Sequence, residues 1–212
     1  MLGSERGADM LILPDNDVIF VHVPKCGGTS FKAALAAAAQ YSIEARGLAN
    51  GFDRCHLTLE QIQSWCPILW REMNGVETLS VAIVRNPYDR IISAYKWYLK
   101  HYDFLSFESY LQATELLAEW DCRLVHAVPQ HKFIYLNERK VVSLVIKLET
   151  IQRDISKIRD ALSLRGTDLG DVPTLNASDH CPAIDSVAAH RELILKQYAK
   201  DFELFGYSVD MN

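Results

Sequence analysis

Apolar residues along this chain fall into short continuous runs, and the segments between the runs carry apolar residues at helical spacing. The runs, which are rich in Val, Ile and Leu, predict buried strands at 17–24, 78–85, 132–136 and 141–149, with a further short strand at 41–46. The helical spacing predicts helices at 28–40, 56–66, 86–100, 106–120, about 150–163 and about 185–200. Because strands alternate with helices, we expect an α/β fold: a single domain with a mostly parallel central sheet flanked by helices.

Two of the predicted helices carry clear signals of where they begin. In the helix at 86–100, Asn86 is a favoured N-cap residue and Pro87 suits the first helical position. Its core-facing side chains are predicted to be Ile91, Ile92, Tyr95 and Leu99. Its solvent-facing basic side chains are predicted to be Arg90, Lys96 and Lys100. In the helix at 56–66, Thr58 and Gln61 fit a capping box.

The length and charge of the chain limit the classes of function. Its 212 residues suit one domain, which we place at 17–212 behind an N-terminal tail at 1–16. A net charge of −5 argues against binding to nucleic acid or to a membrane surface, so a polyanion would need a local basic cluster. Five cysteines without a C-x-x-C pair indicate free thiols, and no apolar run has the length of a membrane span or the pattern of a signal peptide. We therefore expect a cytoplasmic protein.

The first predicted strand leads into the sequence HVPKCGGTSF at residues 22–31. Gly27 and Gly28 allow a tight turn and a close approach to a ligand, and the helix that follows offers unpaired N–H groups. Lys25 adds a full positive charge, and hydroxyl donors are supplied by Thr29 and Ser30. These features predict an anion site at residues 24–29, which we name the first junction. The alternative is a tight turn with structural glycines and a solvent-exposed lysine.

The order of residues in the first junction differs from that of an ATP-binding loop. In the motif G-x-x-x-x-G-K-[ST] the lysine follows the glycines, whereas Lys25 precedes them. Because that motif is absent from this chain, it places no Thr here to hold magnesium. No acidic residue is evident at the end of a predicted strand as a second metal ligand. The sequence argues against a magnesium-dependent phosphoryl transferase, and we expect no metal site.

A second strand-to-helix junction, residues 85–89, also carries basic residues. Arg85 ends the predicted strand, and Ser93 lies in the helix that follows. Arginine can donate two hydrogen bonds to one phosphate, so this second junction predicts a second phosphate site. The alternative for Arg85 is a surface ion pair with Asp89. Two anion sites on one sheet suggest a ligand with two phosphate groups well apart.

The two junctions together resemble those of sulfotransferases that use 3′-phosphoadenosine 5′-phosphosulfate (PAPS). The matching segments are FVHVPKCGGTS and VAIVRNPYDRIISAY, followed in the family's order by PQHKFIY, IKLETIQRD, PTLNAS and YAKDFELFGY. The chain is similar to the branch that contains the Golgi carbohydrate (uronosyl-type) sulfotransferases, and it looks like a small soluble bacterial-type member. The resemblance implies the P-loop-like sulfotransferase fold, PAPS as the cofactor and a small-molecule or glycan acceptor.

The resemblance also implies roles for individual residues. The loop around the 5′-phosphosulfate corresponds to Lys25, Cys26, Gly27, Gly28, Thr29 and Ser30. The 3′-phosphate is implied to bind Arg85 and Ser93, and a late loop over the cofactor corresponds to Asn176 and Ser178. His56, just before a helix, corresponds to the catalytic histidine of the uronosyl branch, although Arg54 and Cys55 depart from that branch's pattern.

Transfer of a sulfuryl group to a hydroxyl would need a base for the hydroxyl proton and a cation for the leaving phosphate. His56 is the candidate base because histidine titrates near neutral pH, and Lys25 is the candidate cation. The alternative for His56 is a structural histidine at a helix start. His22 is less suited because it lies inside the first predicted strand, whereas His126 and His131 could contribute to the acceptor side.

Other functions stay open from the sequence alone: an ATP-dependent small-molecule kinase with an irregular loop, and a non-catalytic module that binds the bisphosphate nucleotide.

The acceptor pocket is expected within 44–77 and 101–131, and a carbohydrate acceptor rests on the resemblance alone. Side chains that could stack on sugar rings or pack in the core are Trp65, Trp70, Trp97 and Trp120. Cys26 is interpreted as a small neutral filler, because a thiolate beside a bound anion would be repelled.

Overall fold

The computed structural model describes residues 11–13, 17–38, 56–102, 105–172 and 184–210. Its strands are β1 (Leu11–Leu13), β2 (Val18–Val21), β3 (Leu79–Val84), β4 (Tyr135–Leu136), β5 (Arg139–Lys140) and β6 (Leu144–Lys147). The main sheet has the order β1-β2-β3-β6, in which β2, β3 and β6 are parallel and β1 is an antiparallel edge strand. The register pairs Val21 with Ala82 and Val84 with Lys147, so the three parallel strands end at the same edge.

The helices are α1 (Gly28–Ala38), α2 (Leu59–Trp65), α3 (Pro67–Met73), α4 (Pro87–His101), α5 (Phe107–Leu117), α6 (Ile151–Ser163), α7 (Ile184–Ala189) and α8 (Arg191–Phe205). Both predicted helix starts are confirmed. Thr58 and Gln61 form the reciprocal capping box of α2, and the Asn86 side chain accepts a hydrogen bond of 2.9 Å from the Tyr88 N–H. Within the described ranges, no helix is both long enough and apolar enough to span a membrane.

The two central strands of the main sheet, β2 and β3, are buried on both faces, which explains their continuous apolar runs in the sequence. Every residue of β2 and of β3 is buried. The one polar side chain in β3, Ser80, has a partner, because its hydroxyl lies 3.0 Å from that of Ser143. A parallel sheet covered by helices on both faces excludes water from all of its side chains, so its strands show no polar alternation. The predicted α/β fold class is thereby confirmed.

Four segments differ from the sequence prediction. Residues 130–133 form a short 3-10 helix, and β4 then pairs with β5 in a separate hairpin instead of joining the main sheet. The connecting residues Asn137 and Glu138 have φ values of 48° and 64°, which suit a tight hairpin turn. The helix expected at about 185–200 is two helices, α7 and α8, and α3 was not predicted. β1 lies within the stretch predicted as an N-terminal tail, whereas the strand predicted at 41–46 lies outside the described residues.

The prediction for the two faces of α4 was wrong at two positions. Arg90 has no exposed surface, and Leu99, predicted to face the core, is 36% exposed. Arg90 is buried because α4 is covered by α8 and by the short 3-10 helix at Val125–Ala127. Its guanidinium donates hydrogen bonds of 2.9 Å to the carbonyl oxygens of His126 and Val128. The arginine therefore bridges α4 to the segment that follows α5.

Candidate functional site

The first junction has the backbone geometry of an anion site. Lys25 and Gly27 adopt positive φ values of 64° and 76°, so the chain turns sharply before α1 begins. The first turn of α1 closes through the N–H groups of Ser30 and Phe31, which both donate to the Gly27 carbonyl. Among the described residues, the N–H groups of Gly27, Gly28 and Thr29 have no hydrogen-bond acceptor. These donors lie at the positive end of the dipole of α1, where they can bind an anion.

The two glycines of the first junction are needed for different reasons. Gly27 has a left-handed conformation, and a Cβ there would lie 2.8 Å from the Leu148 side chain. Gly28 has no positive φ, but its Cβ would lie 2.2 Å from Cδ2 of His22. Gly28 therefore makes room for the His22 ring beneath the start of α1, a contact that the loop sequence did not indicate.

Cys26 lies inside the first junction with its side chain fully buried. Burial raises the pKa of its thiol to about 12, against the opposing positive charges of Arg90 and Arg85, so the thiol is neutral at pH 7. Its sulfur lies 3.2 Å from the side-chain oxygen of Gln130, to which the S–H can donate. This arrangement agrees with the interpretation of Cys26 as a small neutral filler.

The second junction follows β3, which is the immediate neighbour of β2 in the sheet. Because both strands end at the same sheet edge, Arg85 and the first junction lie on the same side of the molecule. Within the described part of the chain, the Arg85 guanidinium has no ion pair or hydrogen bond, and in particular none with Asp89. Ser93 is half-buried in the second turn of α4.

The carboxylate of Glu149, which was not identified from the sequence, lies at this edge of the sheet. Glu149 was expected inside a strand at 141–149, but β6 ends at Lys147 and Glu149 follows in a 3-10 helix, so an acidic residue does stand at a strand end. Its carboxylate accepts hydrogen bonds from the Asn86 N–H at 2.6 Å and from the Tyr207 hydroxyl at 2.9 Å. Glu149 thus fixes the backbone of the second junction.

Three histidines meet beside the first junction. His22, which follows the end of β2, was judged less suited to catalysis from the sequence, yet its ring centroid lies 4.6 Å from that of His56. On the other side of His56, the Nε2 atoms of His56 and His126 are 3.2 Å apart. All three side chains are buried. We call this group, His22, His56 and His126, the histidine cluster.

Two rings of the histidine cluster, those of His56 and His126, are held in the neutral form by their burial. The pKa of His56 is lowered to about 4, mainly by burial; the His22 carbonyl opposes this shift, and the positive charges of Lys25 and Lys32 add to it. Burial likewise lowers the pKa of His126, with His56 and Lys25 as the next causes. Nδ1 of His56 lies 3.4 Å from the His22 carbonyl oxygen, which can only accept. The proton of neutral His56 therefore belongs on Nδ1, and Nε2 is its basic atom.

A small cleft opens next to His56. Its wall is formed by the start of α2 and by the segment after α5, with the lining residues His56, Leu57, Gln61, Ala118, Glu119, Asp121, Cys122 and Val125. These residues belong to the two stretches, 44–77 and 101–131, in which the sequence analysis expected the acceptor pocket. Trp120, one of the candidate stacking residues, lies within the segment after α5 and is 68% exposed. Trp97, another candidate, packs against His126 with the two ring centroids 4.0 Å apart and the rings nearly perpendicular.

The remaining predicted site residues are placed as follows. Asn176 and Ser178 lie outside the described residues. His131 does not join the histidine cluster, because its Nδ1 lies 2.8 Å from the buried carboxylate of Asp201.

Three residues at this edge of the sheet were not predicted from the sequence: Gln130, Glu149 and Asp201. The segments PQHKFIY and IKLETIQRD had been recognised as family motifs, but nothing in their spacing indicated what their polar side chains contact.

Comparisons with known proteins identify the family. The sequence model described as "Sulfotransferase family" matches residues 8–208. No curated protein matches the chain significantly. Among solved structures, the chain is similar to a sulfotransferase from Alicyclobacillus acidocaldarius, with 17% identity and a TM-score of 0.47 over 91% of this chain and 96% of that one. Since the family model covers almost the whole sequence, the chain belongs to the sulfotransferase family, which supports the transfer of sulfuryl groups as its activity.

Proposed function

We propose that this protein transfers a sulfuryl group from PAPS to a hydroxyl of an acceptor, and that it holds the two phosphate-bearing ends of PAPS at the first and second junctions. The observation that carries the proposal is the pair of unpartnered donor sets at adjacent strand ends. Among the described residues, the N–H groups of Gly27, Gly28 and Thr29 lack acceptors, and the Arg85 guanidinium lacks a partner. Family membership supports the same class of reaction.

PAPS would supply the activated sulfuryl group. Its 5′-phosphosulfate is proposed to bind at the first junction, where the backbone N–H groups and the hydroxyls of Thr29 and Ser30 would contact it and Lys25 would bring a positive charge to the leaving phosphate. Its 3′-phosphate is proposed to bind Arg85, whose planar set of N–H groups matches a phosphate, and the Ser93 hydroxyl in the second turn of α4. We propose Asn176 and Ser178 as further cofactor contacts on the resemblance alone.

The proton of the acceptor hydroxyl needs a base close to Lys25, and His56 is proposed for this role. Its pKa of about 4 keeps it unprotonated at pH 7, so its lone pair is available. That lone pair is on Nε2, which contacts His126 at 3.2 Å. To take the proton, His56 must exchange this contact for the acceptor hydroxyl. His56 lies on the wall of the cleft, so we propose that the acceptor hydroxyl reaches Nε2 from there.

A polyhydroxyl acceptor, such as a carbohydrate, suits the cleft better than a strongly anionic one. Glu119 and Asp121 line it, and carboxylates accept hydrogen bonds from hydroxyl groups but repel anions. Both are paired with basic residues, Lys132 and Arg123, so the cleft is polar rather than strongly negative. A carbohydrate acceptor is our proposal for the substrate class; it rests on the family resemblance, and the hydrogen-bond acceptors of the cleft are compatible with it. We also propose that the protein acts in the cytoplasm.

Calorimetry with the product nucleotide, adenosine 3′,5′-bisphosphate, tests the donor site. We expect measurable binding. We expect Arg85→Ala to weaken it by about tenfold to a hundredfold, because the charge-assisted, bidentate hydrogen bond from Arg85 to the 3′-phosphate is lost. Arg71→Ala is the matched control, since Arg71 is exposed on α3 and its loss changes the net charge equally. Absence of binding by the unmodified protein, or equal binding by the Arg85 variant, would contradict the proposal.

A further inference from the structure

We infer that Gln130 is a positioning residue that ties the first junction to the second and thereby sets the spacing of the two anion sites. This inference rests on the proposed function, because it concerns a ligand that occupies both junctions at once. Gln130 is fully buried and stands at the start of the 3-10 helix Gln130–Phe133, far from either junction in sequence.

The side-chain amide of Gln130 pairs with the main chain of Arg85 through two hydrogen bonds. Its oxygen accepts from the Arg85 N–H at 2.8 Å, and its NH2 group donates to the Arg85 carbonyl at 2.8 Å. The partners settle the orientation of the amide, because an N–H can only donate and a carbonyl can only accept. Gln130 thus continues the pairing of β3 by one residue beyond the end of the strand, as a neighbouring strand would.

The same amide also reaches the first junction. Its oxygen lies 3.2 Å from the Cys26 sulfur, and the Cys26 thiol is neutral, so its S–H can donate. One buried side chain therefore contacts the backbone of the residue proposed to bind the 3′-phosphate and a side chain of the loop proposed to bind the 5′-phosphosulfate. The ladder between β2 and β3 ends at Val21 and Ala82, so the regular sheet pairing of these strands stops short of either junction.

Gln130 is itself held from the opposite side. The Asp201 carboxylate, fully buried on α8, accepts from the N–H of Gln130 at 2.8 Å and from the N–H of His131 at 2.9 Å. The His131 ring contacts the same carboxylate. A residue anchored in this way has a fixed position from which its amide can hold the two junctions, since neither its backbone nor its side chain can shift without breaking buried hydrogen bonds.

The functional consequence is a coupling between the two phosphate sites. A ligand with one phosphate needs only one junction in the right place, whereas a bisphosphate nucleotide needs the correct separation of both. A protein that already holds the two sites at the correct separation therefore gains affinity only for the bisphosphate nucleotide. Loss of the Gln130 contacts should therefore reduce the advantage of adenosine 3′,5′-bisphosphate over adenosine 5′-monophosphate.

The test compares these two nucleotides by calorimetry in the unmodified protein, in Gln130→Met and in Gln130→Glu. Met keeps the length of the side chain without its hydrogen bonds, and Glu keeps the shape but sets a carboxylate oxygen against the Arg85 carbonyl. We expect the ratio of the two affinities to fall about tenfold in both variants. Gln112→Met, on the exposed face of α5, is the matched control and should leave the ratio unchanged. Parallel losses for both nucleotides, with an unchanged ratio, would show a merely structural role and overturn the inference.

A double-mutant cycle with Arg85→Ala sharpens the result. Once the Arg85 guanidinium is gone, its placement no longer matters, so Gln130→Met should change the affinity for the bisphosphate by less than about twofold in that background. A full, additive loss would overturn the inference.

Amide hydrogen exchange provides a readout that does not depend on any ligand. The Arg85 N–H, bonded to Gln130, should be protected in the unmodified protein and should exchange much faster in Gln130→Met. Unchanged exchange would refute the tie between Gln130 and Arg85 even if nucleotides bind. If the unmodified protein binds no bisphosphate, the proposed function fails first, and the exchange result then decides separately whether the tie exists.

Discussion

Lys25 has a backbone conformation that a lysine adopts only at an energetic cost. Its φ of 64° lies in the left-handed region, which costs a residue with a side chain about 1–2 kcal/mol. The sequence motif placed the lysine before the glycines but could not indicate this strain. A lysine in a strained backbone conformation, within a loop whose N–H groups lack acceptors, is consistent with a functional role for its positive charge.

Replacement of Lys25 should separate its charge from its backbone strain. Lys25→Gly is expected to fold at least as stably as the unmodified protein, because glycine adopts this conformation without penalty, while Lys25→Met should keep the strain. Both variants should lose sulfuryl transfer by about a hundredfold or more, as expected for one preorganised group at a leaving oxygen. Urea denaturation and steady-state kinetics check the two effects. Full activity in Lys25→Gly would contradict the role of the charge.

The base role of His56 predicts a loss of rate with little change in cofactor binding. His56→Gln should lower kcat by about 10²–10⁴-fold and alter the affinity for adenosine 3′,5′-bisphosphate by less than about threefold. Because the pKa of His56 is about 4, the acid side of the pH–rate profile should lie below pH 6.5, the value of an ordinary histidine. His101→Gln, an exposed histidine at the end of α4, serves as the control. An unchanged kcat in His56→Gln would transfer the base role to another group.

At the scale of elements, α4 shows both the reach and the limit of sequence reasoning. Its start was predictable because Asn86 and Pro87 act within one turn of the chain. The burial of Arg90 was not, because α8 and the 3-10 helix at Val125–Ala127, which cover it, are distant in sequence. A charged residue on a periodic helix is normally solvated, and only tertiary contacts with carbonyl oxygens reverse that expectation.

Substitution of Arg90 should therefore destabilise the protein strongly. Arg90→Met would leave the buried carbonyl oxygens of His126 and Val128 without donors, and we expect a loss of about 2–4 kcal/mol in the free energy of unfolding. Lys100→Met on the exposed end of the same helix should change it by less than about 0.5 kcal/mol. Chemical denaturation of both variants provides the measurement, and a loss below about 1 kcal/mol for Arg90→Met would contradict the bridging role.

At the scale of the molecule, the sheet was predictable and the site was only partly so. The apolar runs identified β2, β3 and β6 because buried parallel strands show no polar alternation. The two junctions followed from their own sequences, since glycine turns and helix starts are local. The histidine cluster and the Gln130 contacts join residues from different elements, so no local pattern could indicate them. Glu149 was missed because the end of β6 was placed too late.

The buried histidines predict how the stability of the whole protein depends on pH. His56 has a pKa of about 4 in the folded state and an ordinary value of 6.5, so the unfolded state binds more protons between these values. Stability should thus be fully present above pH 6.5 and should fall as the pH decreases towards 4. His56→Gln should reduce this slope by up to about 1.4 kcal/mol per pH unit. Urea denaturation across this range tests the prediction, and an identical slope in the variant would contradict it.

A parallel transfer assay with labelled donors tests sulfuryl transfer from PAPS. The unmodified protein is offered labelled PAPS with EDTA in one arm and γ-labelled ATP with magnesium in the other, each with the same set of carbohydrate, phenol and lipid acceptors. We expect label on an acceptor from PAPS, dependent on Lys25 and Arg85, and none from ATP. Transfer from ATP alone would identify a kinase, and binding of adenosine 3′,5′-bisphosphate without transfer to any acceptor would identify a binding module. Either result would rule out sulfuryl transfer from PAPS as the activity of this protein.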